Sequence, residues 1–193
     1  MNSIITSECF ISVDVETSGP VPGEYSLLSI GATGVFPNGN DDPGFYCTLK
    51  PLEGAKADGD AMAVSGLDID VLRQAGAEPV EGMRQFEAWC KVVSEGAPPV
   101  FVGFNAAFDW SFVNYYFHRF LGRNPFGFSA LDIKSVYMGA TGCSWADTRS
   151  SAVSKALGVQ DAELSHHALD DARKQAMLFA AIRQLRVPVD KET

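Results

Sequence analysis

Residues 9–15 read Cys9-Phe10-Ile11-Ser12-Val13-Asp14-Val15 and run into Glu16-Thr17-Ser18-Gly19-Pro20. The β-branched and aromatic content suits a strand at the centre of a sheet, ending in Glu16, and the Thr-Ser-Gly-Pro cluster stops it. Side chains alternate along a strand, so Asp14 and Glu16 leave the same face at the strand end. Carboxylates so close repel by on the order of a kcal/mol or more at an effective protein dielectric. Read alone, the pair is either a solvated strand end or a site for a divalent cation. With 14 Asp and 10 Glu in the chain, roughly one D-x-E arises by chance. Three occur, at 14–16, 161–163 and 190–192, and only the first follows a core strand and precedes a turn.

Outward from this strand, Ser26 to Phe36 and Gly44 to Leu49 are two further strand candidates, separated by the turn-rich residues 37–43. Strands linked so closely favour an antiparallel meander. The pattern then turns helical, with Leu67, Val71 and Leu72 after a Ser65-Gly66 start and Met83, Phe86, Trp89, Cys90 and Val93 at spacings of three and four. Pro99 to Phe104 is a fourth strand. Ala107 to Leu121 is an aromatic-rich helix, with Phe112, Tyr115, Tyr116, Phe117 and Phe120 facing either the core or a second copy. Leu131 to Met138 and Ser150 to Leu157 read as short helices and Ala168 to Leu185 as a long one. The whole reads as one α/β domain over 1–193.

The chain has 193 residues, 46% hydrophobic and 20% charged, enough to bury a real core and excluding disorder, collagen and coiled coil. Its net charge of -9 is the wrong sign for holding long polyanions by electrostatics alone. Residues 1–100 carry 5 basic and 15 acidic side chains, and residues 101–193 carry 10 and 9, so an anion-binding surface should draw on the second half. Cys9, Cys47, Cys90 and Cys143 form no C-x-x-C pair, which argues against a zinc knuckle or disulfide scaffold and for reduced thiols. No apolar run reaches 18 residues, and no basic segment precedes a long apolar one at the N-terminus. A cytoplasmic protein without membrane association is expected.

Two further motifs carry acids. In Gly103-Phe104-Asn105-Ala106-Ala107-Phe108-Asp109 a strand ends, Asn105 can cap the turn and Asp109 enters the first turn of a helix. Alone, Asp109 is as well explained by the helix dipole, and Phe104 and Phe108 either pack in the core or stack on bases. In Ser165-His166-His167-Ala168-Leu169-Asp170-Asp171-Ala172, two of the chain's three histidines precede an amphipathic helix. A histidine beside anionic groups can act as a base near neutral pH, and an aspartate one turn on can hold a metal. Dipole-favoured acids at a helix start account for the same pattern.

Taken in order, D-V-E-T-S-G, N-A-A-F-D and H-H-A-L-D-D-A resemble the three motifs of the DEDDh exonuclease superfamily, which includes the proofreading subunit of bacterial DNA polymerase III, RNase T and oligoribonuclease. The A-V-S-G-L-D-I-D-V-L stretch before Arg73 looks familial too. The resemblance implies a ribonuclease H-like fold, a mixed five-stranded sheet with its first three strands antiparallel and helices on both faces. It implies hydrolysis from the 3′ end releasing 5′-mononucleotides. By matching position, Asp14, Glu16, Asp109 and Asp171 would hold two Mg²⁺ or Mn²⁺ ions, with Asp14 bridging and Asp109 reaching the second largely through water. The family's H-x4-D spacing is met by His166 and Asp171, which makes His166 the general base. The pairs His167–Asp171 and His166–Asp170 have the spacing of a sister class that uses tyrosine. The backbone around Thr17 and Ser18, with the segment near Asn105, would hold the terminal nucleotide, although the usual Thr-Gly is here Thr17-Ser18-Gly19-Pro20.

Basic residues at Arg119, Arg123, Lys134, Arg149, Lys155, Arg173 and Lys174 suit short single-stranded 3′ ends better than long duplexes. The catalytic motifs do not separate RNA from DNA, since that rests on the 2′-hydroxyl. A homodimer is expected by analogy with family members. Two rivals are a non-catalytic binding module on the same fold and a metal-dependent nucleotide phosphatase that would release inorganic phosphate.

Overall fold

The computed structural model describes residues 8–36, 43–159 and 166–185. The expected turn residues 37–42, the D-x-E pairs at 161–163 and 190–192, and Ser165 lie outside them. Five strands, β1 (Cys9–Thr17), β2 (Leu27–Gly34), β3 (Phe45–Thr48), β4 (Pro99–Gly103) and β5 (Ala130–Asp132), form one sheet in the order β3-β2-β1-β4-β5. The β1–β2 and β2–β3 pairs are antiparallel, and β1–β4 and β4–β5 are parallel. This is the expected mixed sheet. The helices are α1 (Gly59–Ser65), α2 (Ile69–Ala75), α3 (Pro79–Ser94), α4 (Ala107–Leu121), α5 (Ile133–Thr141), α6 (Ser150–Leu157) and α7 (Ala168–Ile182).

Register decides what each face carries, because directly paired residues point the same way. On one face lie Ile11, Val13 and Val15 of β1, Ile30 and Ala32 of β2, Cys47 of β3 and Phe101 of β4. They pack against Met83, Phe86 and Cys90 of α3 and Phe112, Val113, Tyr116 and Phe117 of α4. The aromatic face of α4 is therefore core. Phe86 alone stacks on Phe45, Trp89 and Phe117.

The opposite face changes character along the sheet. Toward β4 and β5 it is apolar, with Val102 in a core shared with Ile133, Tyr137, Val153, Leu178, Phe179 and Ile182. Along β1 to β3 it presents Ser12, Asp14 and Glu16, then Ser29, Gly31 and Thr33, then Tyr46 and Thr48. Helix α7 lies over this polar half. Gly31 makes the approach possible, since a Cβ there would stand 2.1 Å from the Ala168 carbonyl carbon and from the Leu169 nitrogen.

Three local expectations are corrected. Leu131 and Asp132 belong to β5, and the helix starts at Ile133 with Asp132 as its N-cap. A three-residue strand is too short to show a period of its own. Ser65 and Gly66 end α1, with Gly66 in the left-handed region at φ 64°, and Asp68 caps the next helix by accepting from Asp70 and Val71 N–H. Asn105 does not cap α4. Its φ is 65°, the cap position is Ala106, and the N–H groups of Asn105 and Ala106 both donate to Asp132 Oδ1, at 3.0 and 3.2 Å.

Candidate active site

Asp14 and Glu16 point from the end of β1 toward the start of α7, and a register irregularity between Glu16 and Thr17 turns the chain away just after them. Asp171, in the first turn of α7 and buried, comes down onto the same spot. One carboxylate oxygen from each of Asp14, Glu16 and Asp171 lies within 4.8 Å of the others.

Asp109 arrives from the other side of the sheet. The β1–β4 pairing ends at Ser12 and Val102, so beyond it the β1 edge has backbone groups with no strand beside them. The N–H of Val15 donates to Asp109 Oδ1 at 3.1 Å. This long-range bond satisfies a buried donor and draws the first turn of α4 against the acids of β1. Gln175, one turn beyond Asp171, donates from Nε2 to Asp14 Oδ1 at 2.6 Å and accepts the N–H of Phe104 at 3.0 Å.

The crowding shows in protonation. Burial pushes the Asp14 carboxyl well above its ordinary range, the charges of Asp109, Asp171 and Glu16 push the same way, and the Gln175 bond offsets part of this. Glu16 is raised to about 7 by burial and then by Asp171. Asp109 is also raised to about 7, by burial, against its own and Val15's N–H groups. Hard carboxylate oxygens gathered this closely, in surroundings that penalise their charge, suit Mg²⁺ or Mn²⁺.

The histidines differ. His166 is exposed, at φ 50°, immediately before α7. His167 is the N-cap residue, its ring stacked on Tyr46 at 4.2 Å between centroids and its Nδ1 3.5 Å from Asp170 Oδ2. Thr17 and Ser18 are buried. Thr17 donates its hydroxyl to Gly19 O, while Ser18 donates to Lys56 O, accepts from Ser26 N–H, and gives its own N–H to Ser26 O. Phe104 packs with the second core and Phe108 is exposed. Sequence reasoning missed Gln175, Asp132 and Gly31. Only the i, i+4 spacing of Asp171 and Gln175 on one helix face was available as a signal, for Gln175.

A mixed five-stranded sheet with carboxylates at the end of its central strand, joined by acids from two helices, is the layout of the DEDDh 3′-5′ exonucleases. The nuclease domain of 3′hExo, a DEDDh family member solved bound to rAMP, matches with a TM-score of 0.74 and 16% identity over 97% of this chain and 98% of that one. The chain belongs to the Rv2179c-like family, described as a 3′-5′ exoribonuclease domain, whose model matches residues 9–183. It is 51% identical over 179 residues to the 3′-5′ DNA exonuclease Cap18 of Escherichia coli, spanning 92% of this chain and 93% of the relative. It is 31% identical over 182 residues to Ribonuclease T of Shewanella denitrificans, spanning 89% and 79%. The protein is a 3′-5′ exonuclease of the DEDDh superfamily, and its cluster of Asp14, Glu16 and Asp171 could hold a metal ion. Among the described residues, no helix is long and apolar enough to cross a membrane.

Proposed function

We propose that this chain works in the cytoplasm as a single domain that shortens single-stranded nucleic acid from its 3′ end and releases 5′-mononucleotides. DNA is the preferred substrate, on the strength of the 51% identical relative named for DNA. The observation that carries the reading is the approach of Asp14, Glu16 and Asp171 to within 4.8 Å, with Asp109 tied to the neighbouring Val15 N–H. These four acids would hold two Mg²⁺ or Mn²⁺ ions, which when bound supply charge neutralisation at phosphorus and acidify water.

The protein's own groups do the rest. His166, exposed and free of the stack that holds His167, takes the proton from the attacking water. Thr17 and the backbone near Asn105 hold the terminal nucleotide. Ser18, whose hydroxyl and N–H already bind Lys56 and Ser26, serves that role by fixing the loop.

The test is incubation of 5′-labelled single-stranded RNA and DNA of equal sequence with Mg²⁺ or Mn²⁺, beside Asp14→Ala and an EDTA control. A ladder shortening from the 3′ end, absent in both controls and faster on DNA, is expected. A faster RNA ladder would reverse the substrate preference, and products labelled as free phosphate or uncut strands would defeat the exonuclease reading.

A further inference from the structure

Gln175 is 8% exposed, and the two ends of its amide meet different elements. The N–H of Phe104, where β4 ends, meets one end at 3.0 Å, and Asp14 Oδ1 meets the other at 2.6 Å. The partners fix which end is which. A backbone N–H only donates, so the atom facing Phe104 is the oxygen, and the NH₂ group faces Asp14. One side chain of α7 thereby joins the central carboxylate of β1 to the end of β4. Phe104 leads directly into Asn105, Ala106 and the turn of α4 that carries Asp109.

We propose that Gln175 is a positioning residue for the hydrolysis, setting the direction of the Asp14 carboxylate and tying it to the turn that carries Asp109. A neutral donor suits the place. A lysine or arginine would compete with a cation for the same carboxylate, and a glutamate would add another anion to a cluster that already disfavours its charges. Groups that orient a metal-binding side chain through a hydrogen bond are typically worth about 10–100-fold in metal affinity or activity. The inference rests on reading Asp14 as a cation ligand.

The experiment follows Mn²⁺ binding to substrate-free protein through the loss of the free-ion EPR signal, beside kcat, KM and melting temperature. Wild type, Asp14→Ala, Gln175→Met and Gln175→Glu are compared. Gln175→Met keeps the volume and removes both polar ends. It should weaken Mn²⁺ binding and lower kcat by about 10–100-fold each, with KM for the oligonucleotide near wild type. Gln175→Glu keeps the acceptor for Phe104 but replaces the donor to Asp14 by a further carboxylate oxygen, so with that carboxylate ionised it should not regain kcat. Full recovery of kcat in Gln175→Glu would reduce Gln175 to a support for β4 and overturn the proposal, as would wild-type Mn²⁺ binding and kcat in Gln175→Met. Wild-type Mn²⁺ affinity in Asp14→Ala would bring down the reading of Asp14 itself, a failure seen in a different variant.

Discussion

Replacing Gly31 by alanine puts a methyl group where the backbone of α7 already stands. The new Cβ would lie 2.1 Å from the Ala168 carbonyl carbon and the Leu169 nitrogen, whereas ordinary contact begins at 3.4 Å, so one partner must retreat by about 1.3 Å (3.4 − 2.1). Strand β2 is buried along its whole length and paired on both sides, so the start of α7 is the part that yields. That movement carries His166 and Asp171 away from Asp14 and Glu16. Overpacking of this kind costs about 1–3 kcal/mol, a fall of about 2–12 °C in Tm for a chain of this size. A displacement near 1 Å of reacting groups lowers the rate by about 100-fold. Thermal melts and single-turnover cleavage of a 5′-labelled oligonucleotide read both effects. Gly139, inside α5 with nothing within 4 Å of a Cβ, is the control. Gly139→Ala should leave the rate alone and stabilise by about 0.5–1 kcal/mol. Wild-type turnover in Gly31→Ala would refute the idea that the seat of α7 on β2 sets the site.

The raised carboxyls of Glu16 and Asp109, both near 7, with Asp14 also raised, mean that the folded metal-free protein binds more protons than the unfolded chain between about pH 4 and 7. Their contribution to stability is therefore full below pH 4 and lost as pH rises through 7. In EDTA the Tm should be lower at pH 8 than at pH 5.5, and Mg²⁺ or Mn²⁺ should raise it more at pH 8; a Tm in EDTA that climbs from 5.5 to 8 contradicts this. Asp109→Asn keeps an acceptor for Val15 N–H, so its melt in EDTA should match or exceed wild type while cleavage falls by about 100-fold or more. His166→Ala should lower turnover by about 100–10,000-fold, and His167→Ala, which loses the Tyr46 stack, should keep most of it. The opposite order in a side-by-side rate measurement would move the base to His167.

What the sequence determined by itself was whatever depends on neighbours in the chain. The period of two put Asp14 and Glu16 on one face, the helical spacing marked α3, α4 and α7, and three short motifs in order defined the class. Asp132 shows the limit. Its strand spans three residues, too few for a pattern, and its clamp on Asn105 and Ala106 bridges more than twenty-five positions. The tertiary structure alone decided that Asp109 reaches the open edge of β1 at Val15, that Gln175 closes on Asp14 from 161 residues away, and that α7 rests on Gly31. These contacts depend on sheet order and on where β4 stops pairing with β1, and a backbone N–H or a missing Cβ leaves no trace in local composition. Chain-local physics left each acid open between a cation site and a solvated strand end or helix start, and the resemblance of the three motifs to the DEDDh pattern named the four acids and a histidine. Bringing three of those acids within 4.8 Å took the packing of a helix from the far end of the chain onto a glycine of the central sheet.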